Sequence, residues 1–574
     1  MKKKLLSYSA LLIALLLPVT FTGCSNAPDS PAAGSPASPA AAIGIPAEIP
    51  DLPVLYEPAD LDDTWEAATA TLINLQDGAV SIDGPGAAAE GSLLTISKAG
   101  TYVLNGQLTN GQIIIAAGEN DTIKLVLNSV DIRCADSAPI YAQQAKKTIL
   151  TLAPGTVNTI QDGTAYTYAE GEDEPDAAIF SKGDLTINGS GSLSVNGKFN
   201  NGIGVKDNLI ITGGSLTIEA VKDALRGRDS ISIKNGIFHL TSGGDGLQSN
   251  NDEDAQKGWI RLDGGKFDIS AGDDTIQAQT NLQITGGEYI LSAADDGIHA
   301  EAALRIDGGS ILIEKSTEGL EGGSVTINGG TIHLTSQDDG INAANDIAGY
   351  NHFIRINDGF LWIDANGDGI DSNGELYFNG GTVLVHGPTA HDNGAMDSDG
   401  ISQVTGGILA LSGSAGMSQL PDAGSAQNAL MIYFSAVQKA QTAVTLADEN
   451  EKPLLTFIPV KDYQTVLFSS PQLEQGKHYT VLSGGTPSTQ VTNGFSNGGT
   501  INGAVKLTEV TLETAVTAIT EDGSPVSGGR GMRGGPGFPG GGGQRPQGGP
   551  RDGNFPANPG QLDEGRRPPS GAPN

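Results

Sequence analysis

Gly286-Gly287-Glu288-Tyr289-Ile290-Leu291-Ser292-Ala293-Ala294-Asp295-Asp296-Gly297-Ile298-His299-Ala300-Glu301-Ala302-Ala303-Leu304-Arg305-Ile306 is one statement of a phrase that recurs between Asn201 and about Gly407. It consists of a glycine turn, a strand of alternating apolar residues, and an acid before Gly-Ile or Gly-Leu. The apolar anchor after the acid falls at Ile203, Leu225, Leu247, Ile276, Ile298, Leu320, Ile341, Ile370 and Met396, at intervals of 22, 22, 29, 22, 22, 21, 29 and 26 residues. A period of that length marks a solenoid, in which each coil packs only on its neighbours.

Within a coil the apolar residues keep the two-residue period of a strand with one buried face. Ser215-Leu-Thr-Ile-Glu, Lys266-Phe-Asp-Ile-Ser, Ser310-Ile-Leu-Ile-Glu and Thr331-Ile-His-Leu-Thr all carry apolar residues at their second and fourth positions. The anchor strand turns Ile298 and Ala300 inward, and a third strand turns Leu304 and Ile306 inward. No helical stripe intervenes, so three short strands per coil predict an all-β fold, a single-stranded parallel β-helix. The two 29-residue intervals place insertions at 251–258 and 345–352, both after an anchor strand. Strands at Thr101–Asn105, Gly111–Ile115, Ile123–Leu127 and Thr148–Leu152 predict less regular first coils, and strands from Ala429 onward predict a small C-terminal β cap.

The ends of the chain read differently. Lys2 to Lys4 precede an apolar run from Leu5 to Val19 that closes at Thr22-Gly23-Cys24, which reads as a secretory signal of residues 1–23. Cys24 resembles the acylated cysteine of bacterial lipoproteins, which implies an extracellular protein attached to the membrane only through an N-terminal lipid. Residues 24–64 read as a Pro/Ala/Ser-rich spacer, 65–425 as the solenoid, 426–490 as the cap, and 491–574 as linker and Gly/Pro/Arg-rich tail, with cell-wall contact a role for that tail. Cys134 is the one other cysteine, so no intrachain disulfide is expected.

The formal charge is −34, and removal of the three signal lysines takes it to −37. From Gly529 onward six arginines outweigh two aspartates and a glutamate, so the acid lies in the ordered part. Such a surface repels nucleic acid and recruits divalent cations. Its source is a file of acids, since equivalent positions of a parallel solenoid stack at roughly the 4.8 Å strand spacing. Asp245, Asp296, Glu318, Asp339 and Asp368 stand before Gly, Asp223 and Asp274 are variants, and Asp273, Asp295 and Asp338 double the file. Carboxylates so spaced need raised pKa values, basic neighbours or metal. Asp245, Asp273, Asp274, Asp295, Asp296, Glu318, Asp338, Asp339 and Asp368 are therefore the candidate ligands. Oxygen donors select a hard cation, with Ca²⁺ first. Capping of successive turns by each carboxylate is the alternative.

Two outward columns offer a ligand face. Arg261, Gln283, Arg305, Thr326 and Arg355 form one, whose arginines fit carboxylated sugars or the protein's own acids. Thr217, His239, Asp268, Ile290, Leu312, His333, Trp362 and Leu384 form the other, where Trp362 fits either a pyranose ring or a packed core.

Residues about 65–425 resemble a bacterial family of secreted carbohydrate-binding proteins with a pectate-lyase-like β-helix. The resemblance rests on Thr101-Tyr-Val-Leu-Asn-Gly, Ser137-Ala-Pro-Ile-Tyr, Pro154-Gly-Thr-Val-Asn-Thr-Ile-Gln-Asp-Gly163 and the Asp-Asp-Gly-Ile repeats at Asp295 and Asp338. It implies a right-handed helix, bound Ca²⁺, and affinity for cellulose or acidic plant polysaccharide such as polygalacturonate. The alternatives are a polysaccharide lyase acting on uronates and a non-catalytic structural or adhesive surface protein. Lys206, Lys222, Arg226 and Lys315 are the bases near the file, and none is singled out as catalytic.

Overall fold

The protein is all-β apart from one helical turn, Pro58–Leu61, in a computed structural model that describes residues 51–345, 347, 349–488 and 491–526. Cys24, the signal segment and the tail from Gly529 lie outside the described residues. Among the described residues no helix is long and apolar enough to cross a membrane.

Alternation of apolar and polar residues becomes three parallel ladders. In the first, the anchor strands Asn201–Val205, Leu225–Gly227, Leu247–Ser249 and Ile276–Ala278 stack in order, each anchor residue beside the next. In the second, Ser230–Ile233, Trp259–Leu262 and Asn281–Ile284 stack, and the outward residues Arg261, Gln283, Arg305, Thr326 and Arg355 are successive partners. The third carries the longer strands, with Thr217, His239, Asp268, Ile290, Leu312, His333, Trp362 and Leu384 in register. Each strand thus pairs with its counterpart one coil along, which is a β-helix-like arrangement. The inward residues form one apolar core, in which Phe238, Phe267 and Tyr289 stack with ring centroids 4.5 and 4.7 Å apart.

Two glycine positions explain why the phrase is spelled as it is. Gly287 sits at φ +110°, a backbone conformation that side chains rarely adopt. Gly297 follows the acid, and a Cβ there would lie 2.5 Å from the carbonyl oxygen of Gly319 in the next coil. The next coil therefore approaches Gly297 too closely for a side chain as the backbone stands, whereas the equivalent position of earlier coils accommodates Ala224 and Thr275.

The C-terminal strands grow out of the last coil. Ile408–Gly413 pairs antiparallel with Tyr463–Ser469, which pairs with Ala429–Gln438. Strands continue past residue 490: Val516–Thr520 joins Ala429–Gln438, and Val505–Thr511 closes a second, five-stranded sheet.

Residues 51–64, which composition assigns to the spacer, form a strap that runs across the second ladder. Asp60 is fully buried, 3.0 Å from Lys147 Nζ, and accepts a 2.6 Å hydrogen bond from Thr186. Upstream, Leu52 accepts from Arg261 at 2.8 Å and donates to Gln283 at 2.8 Å, while Asp51 meets Arg305 at 3.0 Å. The strap has no period to betray it, because its order comes from contacts with residues far along the chain, 87 positions for Asp60 and Lys147 and 126 for Asp60 and Thr186.

Candidate metal centre

The acids stack as the period requires, and five of them accept the backbone N–H of the acid in the next coil. Asp223 accepts the backbone N–H of Asp245 at 3.2 Å, Asp245 that of Asp274 at 3.1 Å, Asp274 that of Asp296 at 2.8 Å, and Asp296 that of Glu318 at 3.2 Å. Asp339 does the same for Asp368 at 2.6 Å. One carboxylate oxygen is thereby fixed by the fold, and the other is turned to the face.

What meets that second oxygen changes along the axis. Asp223 has Lys222 at 3.2 Å, Asp245 has the Gln248 amide, and Asp274 has His299 Nδ1 at 3.3 Å. Glu318 accepts from Asn342 at 2.8 Å. Basic and amide partners thus serve the first coils, and from Asp274 onward further carboxylates crowd the file.

Four groups bring ligand atoms within 4.8 Å of one another: Asp273 with Asp274 and Asp295; Asp274 with Asp296 and His299; Asp296 with Glu318 and Glu321; and Asp368 with Asp371 and Asp397. Of the sequence-derived candidates, Asp273, Asp274, Asp295, Asp296, Glu318 and Asp368 are brought together. Asp245, Asp338 and Asp339 fall outside these groups. Asp371, which closes the weakly calcium-loop-like stretch Asn366-Gly-Asp-Gly-Ile-Asp371, joins the site together with His299, Glu321 and Asp397, which were not read from the sequence. They occupy the outward position of the anchor strand, where Arg226, Gln248, Gln277, His299, Glu321, Asn342, Asp371 and Asp397 are consecutive partners. The two-residue alternation already turns residue 299 outward between Ile298 and Ala300. The signal was present, but the residue type varies from coil to coil.

Burial first, and then neighbouring carboxylates, disfavours ionisation here. Asp245 is pushed up to about 7 beside Asp223 and Asp274, Asp368 to about 7, and Asp371 to about 8 beside Asp339 and Asp368. Burial, and then its hydrogen bond with Asp296, raises Glu321. Burial opposes charge on His299, but the contacts with Asp274 and Asp296 outweigh it and raise its pKa.

The donor chemistry fits a hard divalent cation. Three groups offer carboxylate oxygen alone, the donor set that Ca²⁺ takes six to eight times over. Gln277 Oε1 and Asn342 Oδ1, in the same file, are buried without a hydrogen-bond donor. Uncompensated buried oxygens are destabilising, and a cation satisfies them.

The arginine column is engaged within the protein. Arg261 lies 2.9 Å from Asp263 besides holding Leu52, and Arg305 holds Asp307 at 2.7 Å besides Asp51. Arg355 packs on the rings of Phe353 and Tyr377. Trp362 stands between His333 and His386, and His386 stacks on Phe457 of the C-terminal sheet at 5.0 Å. Trp362 therefore packs at the edge of a second apolar core, separate from that of the coils, which Leu384 forms with Phe457 and Phe468 of the C-terminal strands.

Residues 90–295 and 289–433, more than half of the chain, match the family described as carbohydrate-binding domain-containing protein. The chain belongs to that family. A carbohydrate-binding domain-containing protein of Acetivibrio thermocellus is 36% identical over 126 residues, which cover 22% of this chain and 44% of that relative. The matched stretch thus spans less than half of that relative's length. A solved structure described as the polysaccharide lyase-like protein from C. thermocellum, in a gadolinium derivative, is 32% identical, with a TM-score of 0.36 over 43% of this chain and 94% of that one. The description of that family points to carbohydrate binding in general terms.

Proposed function

We propose that the anchor face binds extracellular acidic polysaccharide, of the polygalacturonate class, in a calcium-dependent way. In this reading the chain is a surface lipoprotein tethered through Cys24, and its solenoid is right-handed. The observation that carries the proposal is the crowded carboxylate file beginning at Asp274, with buried amide oxygens left without donors beside it. Asp273, Asp274 and Asp295 would hold one cation, Asp296, Glu318 and Glu321 a second, and Asp368, Asp371 and Asp397 a third. A bound cation supplies positive charge that sugar carboxylates lack on this acidic face. The chain's own residues fix the donors, since each backbone-anchored carboxylate has one oxygen already oriented by the next coil. Affinity electrophoresis in gels carrying polygalacturonate is the test. Retardation is expected with calcium and not with chelator, and equal mobility in both would refute the reading.

A second reading, uronate β-elimination, is favoured by one observation. Lys222, half exposed, lies 3.2 Å from Asp223 and acts electrostatically on Asp273 of the first candidate cluster. A base beside a cation site is what removal of an acidified C5 proton requires. Prolonged incubation with polygalacturonate would then release unsaturated products absorbing in the near ultraviolet, and Lys222→Gln would abolish them. If no such product forms, binding alone stands.

A further inference from the structure

The anchor face is acidic along most of its length, but its early coils carry a block of cations. Arg226 is outward on its strand, and Lys182, Lys206 and Arg228 stand just past the ends of three successive anchor strands. These four charges sit on adjacent coils, roughly 4.8 Å apart along the axis.

Every one of them is met by a carboxylate from an excursion of the chain. The segment 162–176, with the acid-rich run Glu170-Gly-Glu-Asp-Glu-Pro-Asp176, folds back over the face. Its Glu174 contacts both Lys206 and Lys182, the latter at 3.3 Å, and its Asp176 holds Arg226 at 2.7 Å. The insertion at 251–258 lays Glu253 on Arg228 at 2.7 Å. The two excursions thus deliver anions to the part of the face where the solenoid itself is cationic.

These contacts are not alike in permanence. Asp176 is built in, because its backbone oxygen accepts the N–H of Asn201 and Asn201 in turn caps Asp223. Glu174 and Glu253 make side-chain ion pairs whose cations remain 31 to 40% exposed. Exposed pairs of this kind contribute little to stability. Replacing one carboxylate by another leaves the local charge pairing unchanged, so an incoming carboxylate need only displace two side chains.

We infer that Lys182, Lys206 and Arg228, beside the fixed Arg226, form a metal-independent subsite for the carboxylates of a uronate polymer, masked in the free protein by Glu174 and Glu253. The inference deepens the proposed function, on which it rests for the identity of the polymer. A chain lying along the axis meets side-chain cations at one end of the face and the carboxylate clusters further on. The excursions then act as competitors for the first part of the glycan.

The test is affinity electrophoresis in polygalacturonate gels containing chelator, which removes the calcium-dependent part. The double variant Glu174→Gln/Glu253→Gln should bind about tenfold more tightly than the wild type, the worth of about one charge-assisted contact. Adding Lys182→Gln/Lys206→Gln should remove that gain. Glu288→Gln/Asp462→Asn, which neutralises two exposed acids elsewhere, controls for net charge and should show none. Melting temperatures confirm folding; Glu253 is exposed, Glu174 is partly buried, and glutamine keeps the shape of each side chain. No gain in the double variant, a gain matched by the charge control, or a gain that survives loss of the lysines each overturns the inference. The outcomes also separate the two claims. Wild type retarded only by calcium with no gain on unmasking sinks the subsite and leaves the calcium reading standing. Absence of calcium-dependent retardation with a clear gain on unmasking does the reverse.

Discussion

Replacing Asp245 with asparagine should make the metal-stripped protein more stable at pH 8, although it removes a charged residue from a hydrogen-bonded ladder. Asparagine keeps the oxygen that accepts the Asp274 N–H at 3.1 Å, and the Gln248 amide can turn to face the new amide group. What it loses is the ability to ionise. Burial and the neighbouring acids raise Asp245 from 3.8 to about 7 in the folded protein, so between those values the folded state holds a proton that the unfolded chain has released. More protons bound when folded means that stability falls as pH rises through this window, and the penalty is complete above the folded value. At about 1.36 kcal/mol per unit, this one group costs about 4 kcal/mol at pH 8 and about 2.5 kcal/mol less than that at pH 5. Equilibrium urea denaturation of both proteins, stripped of metal, gives the wild-type-minus-variant difference at each pH. That difference should change by about 1 to 2.5 kcal/mol between pH 5 and pH 8, the lower figure allowing for relaxation around the ion. Parallel stability curves for the two proteins would refute the claim that crowding of buried carboxylates governs this face.

Calcium should raise the melting temperature more at pH 8 than at pH 5, because ligand carboxylates must first lose their protons; an equal rise at both would count against the clusters as the binding groups. Calorimetric titration of Asp295→Asn/Asp296→Asn should report fewer bound ions than the wild type, and unchanged stoichiometry would remove those coils from the site. Gly297→Ala should destabilise by at least about 2 kcal/mol, since its Cβ meets a backbone oxygen that cannot move without shifting the next coil; a melting temperature within a degree of wild type would show that the coils are less tightly apposed than described. Asp60→Ala should cost about 3 to 5 kcal/mol by leaving the Lys147 ammonium, 6% exposed, without its buried partner, and Lys147→Met combined with it should recover part of the loss.

The repeat was legible because everything that encodes it is local. Alternating residues such as Leu282 and Ile284 declare their own buried face, and a Gly-Gly pair declares its own corner. Once the anchors were aligned, the columns from Arg261 to Arg355 and from Thr217 to Trp362 followed with the register that the ladders show. The acids before glycine were legible for the same reason, being fixed both in type and in place. His299, Glu321 and Asp397 were not, since the residue type at their position changes along the file and gains its meaning only from the acid of a neighbouring coil. The engagement of Arg305 by Asp51 was out of reach altogether, as 254 residues separate them and neither lies in a patterned relation to the other. Strands after residue 490 were hidden by the same lack of period, as Val505–Thr511 has intermediate or exposed burial at every position.

Solenoids change length easily, because duplicating or deleting one coil leaves every other coil with an equivalent neighbour. The strap removes that freedom from half of this molecule. Between Asp51 on Arg305 and Trp65 against Val103 it passes nine strands of the second ladder, eight steps of roughly 4.8 Å, or about 38 Å. Fourteen residue steps reach at most about 50 Å when fully extended, and the turn at Pro58–Leu61 shortens that. An added pair of coils would outrun it, and a lost pair would throw Asp60 out of step with Lys147 and Thr186. The segment is thus a gauge of coil number, and it leaves only the coils beyond Arg305 free to be added or lost without disturbing its contacts.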